Sequence, residues 1–75
     1  MTIRVKMIGP LMYAVGFSEK EVDLPEATTV EALLDLLGVP KARPKIVTRN
    51  GRAVAPEEII LAGDTIAVSP IYSGG

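Results

Sequence analysis

The sequence contains no cysteine and no histidine. The first absence removes disulfide stapling and thiol nucleophiles, the second removes imidazole bases, and together they remove most zinc sites. A chain without cysteine fits a reducing compartment, so a cytoplasmic location is the expectation. No apolar run approaches the ~20 residues of a membrane span, and no membrane partner is expected. The N-terminus, Met1-Thr2-Ile3-Arg4-Val5-Lys6, alternates and lacks the continuous apolar block of a signal peptide, which leads us to expect a mature, soluble chain. Aromatic residues are scarce, at 4%, and the net charge is −1, so neither base stacking nor a global field points to nucleic acid.

What is present is a globular composition. Of 75 residues 48% are hydrophobic and 23% charged, which suits one folded domain and not a disordered chain. That length is near the lower limit for independent folding, so the core must be efficient and the loops short.

The chain opens on an alternating segment, Thr2 to Ile8, with Ile3, Val5 and Met7 on one face, which predicts a half-buried strand. Gly9-Pro10 interrupts it. The apolar piece Leu11 to Val15 reads as a connection, helical or not, that Gly16 ends. Ser18 to Leu24 alternates again and predicts a second strand, antiparallel to the first. Thr28-Thr29-Val30-Glu31 has the form of a capping box. Val30, Leu33, Leu34 and Leu37 then fall on one stripe of a helix, with Gly38 as its C′ residue and Pro40 barring continuation. Lys45 to Arg49 predicts a third strand, whose pattern leaves the face of Arg49 open. Asn50-Gly51 predicts a tight hairpin turn into a short fourth strand, Arg52 to Val54. Glu57 to Leu61 reads as a helical turn laying Ile59 and Leu61 on the core, and Ala62-Gly63-Asp64 as a turn. Thr65 to Ser69 is the last strand, with Ile66 and Val68 inward.

The order β-β-α-β-β-β, with a helix crossing the sheet, requires a parallel strand pair. The expectation is an α+β, β-grasp fold: a mixed sheet of four or five strands on one main helix. Residues 1–70 form the domain and 71–75 a mobile tail. Acidic residues gather in the first half, and Lys41, Arg43, Lys45, Arg49 and Arg52 later. Solvated surface is the simpler account of that basic stretch, and docking to an acidic groove the alternative.

The tail is the most informative stretch. Pro70-Ile71-Tyr72-Ser73-Gly74-Gly75 ends on two glycines. Glycine loses the most backbone entropy on ordering and brings no side chain to a core. A glycine pair instead offers a thin thread ending in a carboxylate, able to enter a channel that a Cβ would block.

These features together resemble the ubiquitin-like sulfur-carrier family, which includes the small subunit of molybdopterin synthase and the thiamine-pathway sulfur carrier. The resemblance rests on Ile3-Arg4-Val5-Lys6, Ala14-Val15-Gly16, Val22-Asp23-Leu24-Pro25-Glu26, Thr29 to Asp35, Asn50-Gly51, Leu61 to Ala67, Pro70 and Gly74-Gly75. It implies a carrier or co-substrate, not a catalyst. An E1-like adenylyltransferase, using ATP and Mg²⁺ that this chain does not itself bind, would activate the Gly75 carboxylate. A sulfur donor protein would then convert it to a thiocarboxylate. The sulfur would pass to an acceptor held by the molybdopterin synthase large subunit or by thiazole synthase. Gly75 carries the reactive carbonyl and Gly74 keeps the approach narrow; Pro70, Ile71, Tyr72 and Ser73 are the candidate partner contacts. The segment Gly9 to Phe17 resembles the molybdopterin-synthase type, whereas Ala67, Val68 and Ile71-Tyr72 depart from it. The thiamine-pathway carrier and a ubiquitin-like protein modifier stand as alternatives, and a β-grasp interaction module with an idle tail as a third.

Overall fold

The computed structural model describes residues 1–71, and Tyr72, Ser73, Gly74 and Gly75 lie outside it. The elements are β1 (Thr2–Met7), α1 (Leu11–Val15), β2 (Glu19–Asp23), α2 (Val30–Leu37), β3 (Lys45–Arg49), β4 (Arg52–Ala53) and β5 (Thr65–Pro70). They form a five-stranded sheet in the order β2-β1-β5-β3-β4. β1 pairs antiparallel with β2 and parallel with β5, and β5 pairs antiparallel with β3. The expected β-grasp architecture and its parallel pair are therefore present, and the parallel pair places the C-terminal strand at the centre of the sheet.

The alternation read from the sequence builds the core. Ile3, Val5 and Met7 of β1, Ile66 and Val68 of β5 and Val47 of β3 turn to one face of the sheet. Val30 and Leu33 of α2 pack onto them with Leu11, Leu24, Val39 and Ile60, while Leu34 and Leu37 are half-buried at the margin. Leu11 belongs to a five-residue helix, α1, which settles the segment whose pattern was ambiguous. Gly38 closes α2 in the left-handed conformation, φ 75°, and its N–H returns to the Asp35 and Leu34 carbonyls.

Two local expectations are corrected. The capping box does not form: the N-cap is Thr29, whose hydroxyl accepts from the Ala32 N–H at 3.1 Å, and Thr28 instead donates to the Pro25 carbonyl at 2.7 Å. With Thr29 as the cap, Glu31 falls one position short of the place from which it would reach back. The segment Glu57 to Leu61 is not helical. A turn at Pro56 and Glu57, closed by the Glu58 N–H on the Ala55 carbonyl at 3.1 Å, leads into an extended strap with a lone bridge between Thr29 and Ile59. Extended backbone alternates its side chains, so Ile60 is buried at 1% exposure while Ile59 and Leu61 face outward at 43% and 56%.

A polar clasp ties this strap to the sheet. Arg49 shares the face of Val47, two positions back along β3, and its Nε meets Asp64 Oδ2 at 2.9 Å while Nη1 meets Glu58 Oε2 at 2.8 Å. The Leu61 N–H donates to Asp64 Oδ2 at 2.8 Å and the Asn50 amide to Oδ1 at 2.9 Å. Asn50 in turn accepts from the Thr65 N–H at 2.9 Å. Asn50 and Gly51 hold the positive φ values, 54° and 85°, that a two-residue hairpin turn demands. Asp64 is the one buried charged side chain among the described residues. Burial alone would raise its carboxyl. The Leu61 N–H, the Asn50 amide and the Arg49 guanidinium outweigh that and hold it below its ordinary value of 3.8.

Ile60→Ala should cost about 2–5 kcal/mol in urea unfolding, and Ile59→Ala under about 1 kcal/mol, because only the first opens a cavity. A carboxyl depressed in the folded state stabilises the fold above its unfolded value and loses that contribution as pH falls through the folded one. The stability gap between the native chain and Asp64→Ala should therefore be constant above about pH 5 and shrink below about pH 4, which urea titrations across that range will measure.

Candidate functional site

β1 and β5 run parallel, so they end at the same edge of the sheet. β1 leads there into α1, and β5 leads into the tail. Pro70, the last residue of β5, lies opposite Lys45, and the Ile71 N–H donates to the Pro44 carbonyl at 3.3 Å. The last described residue is thus still held at the start of β3, and the thread leaves from the most deeply paired strand. Of the candidate site residues, Pro70 and Ile71 are placed at this exit. Pro70 is half-buried and Ile71 is 51% exposed. Tyr72, Ser73, Gly74 and Gly75 fall outside the described residues.

The face of the sheet opposite α2 shows what surrounds the exit. Positions alternate with the buried ones, so Arg4 and Lys6 of β1, Ala67 and Ser69 of β5, and Ile46 and Thr48 of β3 share this outer face. Ser69 lies opposite Ile46. On its other side Ile8 continues β1 by one residue, its N–H donating to the Val68 carbonyl at 2.9 Å. Ile8 and Ile46 therefore flank the small Ser69, each 45% exposed, and Ile71 follows two positions beyond Ser69. Sequence reasoning did not find Ile8 and Ile46. Each is the one apolar residue on the outer face of its strand line, and only the strand order brings them together.

The outer face grades along its length. At the far end Arg4 is paired with Glu19 at 2.8 Å and Glu21 at 3.0 Å, giving a charged and self-satisfied surface. Lys6, Ala67 and Thr48 form a mixed middle row. The row beside the tail is apolar. Exposed aliphatic side chains around a small residue, rimmed by polar groups, have the composition of a contact surface for another protein.

Other candidates are structural. The Asp64 cluster sits at the opposite end of β5 and spends its oxygens on Leu61, Asn50 and Arg49. Among the described residues no group of acidic side chains is placed to hold a metal ion, and no helix is long and apolar enough to cross a membrane. The basic stretch is not one patch: Lys41 pairs with Asp35 at 3.3 Å and Arg49 with Glu58 and Asp64, while Arg43 and Arg52 are exposed.

Known structures share this architecture. SAMP1 of Haloferax volcanii is 29% identical, with all of both chains covered and a TM-score of 0.81. A protein of Pyrococcus furiosus assigned as molybdopterin converting factor subunit 1 is 24% identical over 93% of this chain and 98% of that one, with a TM-score of 0.79. The complex of subunits 1 and 2 of the Helicobacter pylori molybdopterin-converting factor contains a chain 16% identical, with all of both chains covered and a TM-score of 0.69. No curated protein matches the sequence. The model of the ThiS family matches residues 5–75, from β1 through the terminal glycines. With the strand order, the exit of the tail and that match in agreement, the chain belongs to the ThiS family and has the ubiquitin-like fold of its sulfur carriers.

Proposed function

We propose that this chain is a sulfur carrier that presents its C-terminal carboxylate to the active sites of other proteins. The observation that carries the proposal is the Gly74-Gly75 terminus of a ThiS-family chain, reached four residues after a central strand whose exit is ringed by exposed aliphatic residues. A carboxylate is a poor electrophile at neutral pH. In the first step an E1-like adenylyltransferase joins a Gly75 carboxylate oxygen to the α-phosphorus of ATP and releases pyrophosphate, with Mg²⁺ held by that enzyme. A sulfur donor protein then supplies sulfide at the acyl carbon, AMP leaves, and a thiocarboxylate remains. The chain's own residues position the terminus and supply no acid or base. The partner grips the sheet face at Ile8, Ile46 and Ile71, and the thread enters the channel at high effective concentration. Tyr72 and Ser73 are further partner contacts in this scheme.

The acceptor we favour is a pterin precursor on the molybdopterin synthase large subunit. The connection through α1 supports it, as does the fold shared with a chain solved as a complex of molybdopterin-converting factor subunits 1 and 2. The likeness to SAMP1 favours a second reading, in which Gly75 is transferred to a target lysine as an isopeptide. Delivery to thiazole synthase in the thiamine pathway is the remaining sulfur-carrier alternative.

Incubation with the host's activating enzyme, ATP and a sulfur donor should shift the intact mass by sulfur for oxygen, located on Gly75 by fragmentation. A chain that stays unmodified with every activating enzyme of its host would overturn the carrier role. Recovery of the chain on target lysines, with no thiocarboxylate formed, would establish the modifier reading. For the gripping surface, Ile46→Lys should weaken binding to the activating enzyme by about tenfold or more, while Leu36→Lys, an exposed leucine on α2, leaves it unchanged; calorimetry distinguishes the two.

A further inference from the structure

A second surface lies on the other side of β3. Pro70 has no N–H, so its pairing with Lys45 is made by the neighbouring residues, and the Ile71 N–H to Pro44 carbonyl bond is one of those links. Lys45 therefore directs its own N–H and C=O away from β5, toward the side where β4 would lie. β4 covers only Thr48 and Arg49, and one further bond runs from the Val54 N–H to the Val47 carbonyl at 3.0 Å. Beyond Val54 the chain leaves β3. It crosses to the start of α2, where the Pro56 and Glu58 carbonyls accept from the Glu31 and Val30 N–H groups. Among the described residues nothing pairs with the Lys45 N–H or C=O, or with the Val47 N–H on the same side. The sheet thus has an open edge along the first part of β3.

This departure opens a cleft between β3 and α2. It has a volume of about 200 Å³ and is lined by Glu31, Leu34, Asp35, Lys41, Lys45 and Pro56. Leu34 and Pro56 supply an apolar wall, large enough in scale for one aliphatic side chain. The charges are divided. Asp35 is neutralised by Lys41 at 3.3 Å. Glu31, on the α2 wall, is exposed and has no cationic partner among the described residues, while on the β3 wall the Lys45 Nζ donates only to the Lys41 carbonyl, at 3.5 Å, and Arg43 precedes it on the exposed approach to the strand.

We infer that this edge and cleft form a docking site for an extended segment of a partner protein, carrying an aliphatic residue next to acidic ones. The backbone of such a segment pairs with Lys45 and Val47 as an added strand. Its aliphatic side chain enters the cleft against Leu34, and a neighbouring carboxylate meets Lys45 or Arg43. The added strand lies on the β3 side, where Lys45 and Arg43 are the charged groups and Glu31 stands across the cleft on α2, and charge there selects this occupant. A second copy of the chain would set Lys45 against Lys45 across the new strand pair, the arrangement by which edge lysines oppose self-association. An acidic segment turns that repulsion into attraction. The site is separate from the outer face at Ile8, Ile46 and Ile71, so it stands whether or not the terminus carries sulfur.

The test uses the full chain, isotopically labelled, and a synthetic peptide with a central Ile-Val flanked by glutamates. Titration should shift the amide signals of Lys45 and Val47 and the methyl signals of Leu34, and should slow hydrogen exchange at the Lys45 amide. N-methylation of the peptide backbone at alternate residues should abolish the shifts, and Lys45→Glu should reduce affinity by about tenfold. Leu34→Ala gives an independent reading of the cleft: the Lys45 shift persists with weaker affinity. Shifts that survive backbone methylation, a lysine-flanked peptide that binds equally well, or the absence of shifts at millimolar peptide would each overturn the inference.

Discussion

The pairing of β5 between β1 and β3 governs the structure. β5 is the last strand in chain order, yet it occupies the middle of the sheet, bonded on both sides and buried through Ile66 and Val68. The parallel register with β1 sets which edge of the sheet the tail leaves from, and the antiparallel register with β3 holds Ile71 at that edge. Everything at the exit follows from these two registers: the proximity of α1, the placement of Ile8 and Ile46 about Ser69, and the outward aim of the Lys45 backbone. The clasp of Arg49, Asn50 and Asp64 fixes the opposite end of the same strand. β5 is thus anchored by polar contacts where it enters the sheet and by apolar packing along its length.

Much of this was legible in the sequence because the physics there is local. Alternation gave β1, β2 and β5. The 3.6-residue spacing from Val30 to Leu37 gave α2, and Asn50-Gly51 gave the turn between β3 and β4. The parallel pair followed from the helical crossover. The parts that escaped depend on non-local contacts or on degenerate local signals. Ile59-Ile60-Leu61 is uniformly apolar, so no period tells which residue points inward; the bridge to Thr29 decides it. Two adjacent threonines both qualify as a cap, and the Thr28 hydroxyl is claimed by Pro25. Arg49 had no visible partner because Asp64 lies fifteen positions away and reaches it only when β3 and β5 pair.

The candidate site divides in the same way. Its proposed chemical end, the glycine pair, lies outside the described residues and rests on the sequence alone. The surface proposed to grip a partner is not legible in the same way. Alternation with Met7 already turns Ile8 outward, but neither Ile8 nor Ile46 is marked locally as part of a shared surface. A signal was available in the register: Met7 and Val47 must both face the core to pair across Val68, which forces the next residue on one strand and the previous one on the other to the outside.

The central position of β5 also has a mechanical meaning. A partner that draws the thread into a channel pulls along the strand axis, and the ladders to β1 and β3 lie on either side of that axis. The load is shared among many hydrogen bonds in shear and does not peel them open one at a time. A pull of the kind the proposed carrier role entails would therefore leave the body in shape, an advantage that a terminus hanging from an edge strand would forfeit.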